Sequence, residues 1–193
     1  MRRRHLITFG SAAMAAHALP AFGAAGWRTL FNGHGLDAWD PVGDANWAVK
    51  DGAVQADNGK TGFLVSKETF GDVAIRAEFW VSHDANSGIF VRATNPFVIG
   101  TATGYEMNIY DERPDPTYGT GAIVGVAKVN PMPKAGGRWN VMEIWAKGDR
   151  FTIVLNGAKT VDNVQDGKFS HGRIALQYGL GLVKFRKVQV RSL

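Results

Sequence analysis

Residues 72–82 read DVAIRAEFWVS, and their alternation decides the fold. Ile75, Ala77, Phe79 and Val81 fall on one side of an extended chain, and Arg76, Glu78 and Trp80 fall on the other. Successive side chains of a strand point to opposite faces, so this segment predicts a strand with one apolar and one polar face. The same period continues in both directions. Downstream lie NSGIFVRAT (86–94), GYEMNIYD (104–111) and WNVMEIWAK (139–147). The last turns at Gly148-Asp149 into 150–156, and Asn156-Gly157 then signals a tight hairpin into 158–161. Upstream, 47–50 and 53–56 flank Asp51-Gly52, and 62–66 reads as a further strand. Segments 122–126, 172–178 and 182–191 bring the total to about ten to twelve short strands, with almost no helical periodicity from Trp27 onward. Such spacing predicts an all-β sandwich or jelly roll. Two irregular stretches rich in Pro and Gly, 112–121 and 130–138, are of the length that often borders a site.

Composition narrows the function classes. The 193 residues suffice for one domain with a proper core. Absence of Cys excludes a disulfide scaffold, a thiolate zinc site and a Cys nucleophile. The formal charge of +5 is concentrated: Arg2, Arg3 and Arg4 supply three of the 22 basic residues, leaving 19 against 17 acidic ones. No basic stripe remains to neutralise phosphates, so nucleic acid is not the expected partner. Dinucleotide fingerprint, P-loop and Gly-x-Ser-x-Gly elbow are missing, and His34, His83 and His171 lack zinc-site spacing.

The first 25 residues, MRRRHLITFGSAAMAAHALPAFGAA, read as a twin-arginine export signal. Arg3-Arg4 precede a weakly apolar, Ala-rich stretch that ends in small residues. A membrane anchor is the alternative, but His17 and Pro20 interrupt a run already short for a bilayer. The expectation is a signal over 1–25 and a single domain over 26–193. The mature chain would be periplasmic or secreted, without a membrane span.

Several predicted strands carry a mixed polar face. Glu106, Asn108 and Tyr110 share one; Trp139, Val141, Glu143 and Trp145 share another; Arg173, Ala175 and Gln177 share a third; Gly88, Phe90 and Arg92 a fourth. Indole and phenol rings beside carboxylates, amides and Arg are how proteins hold sugars, rings packing on C–H faces and polar groups bonding hydroxyls. The expectation is that these faces line one groove. Glu106 and Glu143 would be its acid/base pair, or each would pair with Arg76 or Arg92 across strands. Asp111 closes its strand as a ligand, a turn residue or a base.

GWRTLFNGHGLDAWD near the start, GFLVSKETFGDVAIRAEFW, NSGIFVR, YEMNIYD, TGAIVGV, GGRWNVMEIWAKGDRFTIVLNG and the closing GRIALQYG and VKFRKVQVR resemble the 3-keto-disaccharide hydrolase domain family, in order over nearly all of 26–193. The resemblance implies a concanavalin A-like β-sandwich. It implies action on glycosides whose sugar a partner sugar 3-dehydrogenase has oxidised to a 3-ketone. The positions it carries over are Ser87, Arg92, Glu106, Asn108, Asp111, Glu143 and Gln177. The chain departs from the family where L-Q-D-H-G is common: here 176–180 read LQYGL, so the Asp and His are absent. Asn108 also stands where the family often has Gln.

The roles expected from these positions are as follows. Glu106 or Glu143 is the base, Arg92 stabilises the enolate, and Asn108, Asp111 and Gln177 bind the sugar, with Trp80 and Trp145 packing on it. A divalent metal held by Glu106 and a neighbour is a further option. The competing reading is a non-catalytic, lectin-like carbohydrate-binding module that partners an exported oxidoreductase.

Overall fold

The computed structural model describes residues 26–193; the expected export signal over 1–25 lies outside the described residues. Strands run in the order β1 (Arg28–Phe31), β2 (Trp39–Gly43), β3 (Ala48–Lys50), β4 (Ala53–Ala56), β5 (Gly62–Phe70), β6 (Val73–Val81), β7 (Asn86–Ala93), β8 (Tyr105–Tyr110), β9 (Trp139–Lys147), β10 (Arg150–Leu155), β11 (Ala158–Gln165), β12 (Gly172–Leu180) and β13 (Val183–Ser192). They form two antiparallel sheets. The larger follows β11-β10-β9-β6-β13-β4-β3, with β1 also on β13; the smaller follows β2-β5-β12-β7-β8. The arrangement is a jelly-roll β-sandwich, as the alternation predicts. Among the described residues, no helix is long and apolar enough to cross a membrane.

Period-two patterning places the core. Ile75, Ala77, Phe79 and Val81 of β6, with Met142, Ile144 and Ala146 of β9, face Ile89 and Val91 of β7, Met107 and Ile109 of β8, and Ile174, Leu176 and Tyr178 of β12 in one apolar layer. Removing these side chains from water is the main drive for closing the two sheets together. The same alternation turns Arg76, Glu78, Trp80, Glu143 and Trp145 to the outside of the larger sheet. It turns Glu106, Asn108 and Gln177 to the outside of the smaller one. Since the core lies between, those two outer faces are on opposite sides of the molecule.

Both hairpin signals hold. Asn156 and Gly157 have φ of 51° and 82° and join Leu155 to its partner Ala158; Asp51 and Gly52 do the same between Lys50 and Ala53. Positive φ at both central residues matches the twist of the flanking strands. Three features depart from the sequence reading. Strands β1 and β2 have no alternation strong enough to announce them, and β2 carries Pro41 because it is an edge strand. Segment 122–126 is not a strand but makes only isolated bridges at Ile123. It nevertheless extends the smaller sheet beyond β8, with Asn108 N–H donating to Ala122 O and Val124 N–H to Glu106 O.

Candidate active site

The groove expected to gather all the polar faces does not form; its members divide into three groups. One group stands on the smaller sheet. Gly88 on β7 is flanked in register by Gln177 of β12 and Asn108 of β8, and Phe90 is flanked by Glu106. These residues share the outer face. Glycine at 88 is what opens the site: a Cβ there would lie 3.0 Å from Gln177 Oε1 and 3.3 Å from Glu106 Oε1. Two polar side chains from neighbouring strands thus lean over a backbone floor that any larger residue would fill.

The electrostatics of this hollow are unusual. Glu106 is half-buried and forms no ion pair, and burial pushes its carboxyl pKa up to about 6, with the Arg113 charge pulling the other way. Asn108 is fully buried, and its Nδ2 donates to Tyr118 O at 2.7 Å. Asn108 Oδ1 and Gln177 Oε1 are both buried and accept no hydrogen bond. An unmet acceptor out of water costs about 1–3 kcal/mol, so two on one face, beside a carboxylate, leave bonding capacity there that a water or another donor would meet.

Arg113 is the residue the sequence reading missed. It sits on the 112–121 stretch, whose length and Pro/Gly content flagged it as site-bordering, although nothing in the sequence singled out this cation. Asp111 holds that stretch in place. Its carboxylate accepts from Thr120 Oγ1 at 2.6 Å and from the N–H groups of Ala135 and Gly136 at 2.9 Å, and it is 8% exposed. It therefore fastens the two irregular loops to each other.

Arg92 belongs to a second group, buried at the end of β7. Phe90 pairs with Ala175 and Ala93 with Arg173, so two residues, Val91 and Arg92, oppose Ile174 alone. This bulge, with Arg92 at φ 56°, removes its side chain from the face that alternation assigns it. The guanidinium donates to Gly148 O at 2.7 Å, Phe169 O at 3.1 Å and Gly71 O at 3.3 Å, and pairs with Asp72 at 3.2 Å. It ties three loops together away from Glu106. Ser87 likewise faces inward, its Oγ donating to Gln177 O at 2.8 Å, which links β7 to β12 beneath the hollow.

The third group lies on the larger sheet. Glu143 pairs with Arg76 across β9 and β6, its Oε1 accepting from Nε at 2.8 Å and Nη2 at 2.6 Å. Trp80 and Trp145 share that face, with Lys184 Nζ 5.4 Å from the Trp80 ring centroid. Of the two options for Glu143, the cross-strand ion pair is the one formed. Glu143, Trp80 and Trp145 stand across the core from Glu106.

The departure at 176–180 has a structural counterpart. Tyr178 turns into the core, edge-on to Trp47 with centroids 6.4 Å apart. A Cβ at Gly179 would meet Asn86 O at 3.0 Å and the Asn86 amide at 3.2 Å, so Asn86 takes up the space a side chain there would need. Among the described residues, no group of three His, Cys, Asp or Glu is placed to hold a metal. One carboxylate and two amide oxygens are a thin donor set for Ca²⁺, which takes six to eight oxygens.

The chain is thus a two-sheet sandwich with an amide- and carboxylate-lined hollow on one outer face. The chain belongs to the family of 3-keto-alpha-glucoside-1,2-lyase-like domains, whose model matches residues 26–191. Among curated proteins no sequence matches it. Solved structures share its fold. A candidate glycosyl hydrolase from Parabacteroides distasonis superposes with a TM-score of 0.75 at 19% identity, covering 87% of this chain and 94% of its own. The carbohydrate-binding module CBM66 from Bacillus subtilis gives 0.61 at 18%, covering 86% and 96%. A Bacillus licheniformis β-glucanase gives 0.61 at 12%, covering 89% and 100%. At these identities the likeness is one of fold, while the family and its neighbours point to carbohydrate-related chemistry.

Proposed function

We propose that the chain is an enzyme that opens the glycosidic bond of 3-keto-glycosides by elimination, with Glu106 as the base. A ketone at C3 acidifies the C2 proton. Glu106 takes that proton, the electron pair moves to form the C1–C2 double bond as the C1–oxygen bond breaks, and the departing oxygen then receives the proton from the Glu106 carboxyl by way of water, which restores the carboxylate. Addition of water to the resulting enone completes a net hydrolysis. A carboxylate with a pKa near 6 is both ionised at neutral pH and basic enough to share a proton with an activated carbon acid. Negative charge develops on the C3 oxygen, and Arg113, whose charge acts on Glu106, would stabilise it. The Gln177 side chain, part of it open to solvent, would bond ring hydroxyls, while the wholly covered Asn108 holds Tyr118 of the neighbouring loop through its Nδ2.

The observation that carries this reading is a desolvated carboxylate beside two unmet amide acceptors over Gly88. Conventional glycoside hydrolysis needs two carboxylates flanking the bond. With Glu143 across the core, Glu106 lacks the partner expected for it, and elimination from a ketone asks for one base. The dehydrogenase that would make the ketone and the export that would place both proteins outside the cytoplasm belong to the same proposal.

A 3-keto-glucoside incubated with the chain should release its aglycone, and Glu106→Gln should not release it. Binding without release in the native chain would favour the second reading, a carbohydrate-binding module. That reading has its own support in the likeness to CBM66 and in Tyr178-Gly179 standing where the family resemblance leads one to expect Asp and His.

A further inference from the structure

We propose that Phe97 is the leaving-group platform of this site, and that its preferred substrates are 3-keto-glycosides with a flat apolar aglycone, such as a phenol. This rests on Glu106 marking the site. Residues 94–104 connect β7 to β8 and return over the outer face of the smaller sheet. Ile99 packs there against Phe63, Val65, Phe90 and Ala175, and Phe90 is the register partner of Glu106. The loop therefore stands directly beside the hollow.

Its tip is apolar and open. Phe97 is 80% exposed and Val98 60%, more than any other large hydrophobic residue among the described ones. Exposed rings elsewhere are engaged: Arg186 lies 4.2 Å from the Trp139 centroid. The Phe97 ring has no such cation over it. The loop is also held in shape. Phe97 N–H donates to Asn95 Oδ1 at 2.9 Å, and Thr103 Oγ1 donates to Val98 O at 2.6 Å. Thr94 N–H meets Thr103 O at 2.8 Å. A ring presented on a prefixed loop pays little ordering cost on binding.

The hollow is thus two-sided in chemistry. Gln177 and Arg113, both partly exposed, offer polar groups to a hydroxyl-rich ring. Phe97 and Val98, which precede Ile99 on the same loop, offer apolar surface to what hangs from C1. A phenol suits this division twice, because it stacks on Phe97 and because a phenolate departs from C1 more readily than a sugar alkoxide.

The test compares phenyl and methyl 3-keto-glucosides as ligands and substrates of the full chain. Equilibrium binding should favour the phenyl compound, and Phe97→Ala should shrink that preference about tenfold, the scale of one aromatic contact. In kinetics the loss should fall on KM rather than kcat, and Phe97→Trp should retain the preference. An equal change for both ligands in Phe97→Ala, or none for either, would overturn the proposal. Glu106→Gln separates the two ideas: it should abolish turnover of both compounds yet keep the phenyl preference in binding. Turnover of neither compound by the native chain would refute the base assignment, and the binding comparison would still decide on Phe97.

Discussion

The two outer faces of the sandwich each carry a glutamate on a strand, near an arginine and aromatic rings, yet they are in opposite energetic states. On the larger sheet, Glu143 is satisfied by two hydrogen bonds from Arg76, and Arg186 bonds Glu78 at 2.7 Å while lying over Trp139. On the smaller sheet, Glu106 is desolvated, its amide neighbours have unmet oxygens, and the floor between them is glycine. The first face has spent its polar groups on itself, whereas the second leaves two amide oxygens unmet. Residue type alone does not mark a site; unmet bonding capacity in a recess does.

The comparison can be broken first by exchanging the carboxylates for amides. Glu106→Gln should lower turnover of a 3-keto-glucoside by about 10³-fold, the range for loss of a general base, while Glu143→Gln should change it less than about twofold. Comparable losses in both would erase the distinction between the faces. Next in size is the floor. Gly88→Ala should reduce kcat/KM by about 10- to 100-fold, with the melting temperature nearly unchanged, since the new methyl group displaces substrate rather than core. A melting temperature that falls with activity would instead make Gly88 a packing residue.

Arg113→Ala sharpens the electrostatic side. It should cost about tenfold in kcat and also move the acidic limb of the rate profile upward from about 6, because Arg113 lowers the Glu106 pKa. A limb that moves down would reverse the assigned sign. The smallest effects are on stability. A carboxyl whose folded pKa is raised binds protons more tightly when folded, so its ionisation costs stability as pH rises from about 4.5 to 6. Glu106→Gln should therefore gain roughly 1–2 kcal/mol over the native chain at pH 8, and the gain should vanish near pH 4. Glu143→Gln should lose about 1 kcal/mol at pH 8, checked by the same urea titrations.

How much of this was legible in the sequence follows from what alternation encodes. Period two placed Phe79, Met107 and Ile144 in the core and put Glu106, Asn108 and Tyr110 on one common face. It does not encode which sheet a strand joins. β6 and β9 enter one sheet and β7, β8 and β12 the other, so faces that looked alike in sequence lie on opposite sides. Arg92 escaped for a local reason, since one extra residue opposite Ile174 breaks the period and turns its side chain inward. Asp111 looked like a site residue because a buried carboxylate that fastens loops and one that does chemistry have the same letter. Arg113 and Phe97 lie on irregular loops, where no periodicity says which way a side chain points.

The most direct measurement is the pH dependence of kcat/KM for a 3-keto-glucoside, taken on the native chain with Glu143→Gln alongside. Both should show the same rise with pH and level off above a single pKa near 6, the value burial gives Glu106. A profile without that limb, or one that Glu143→Gln displaces, would mean that the bond-breaking proton transfer belongs to some other group.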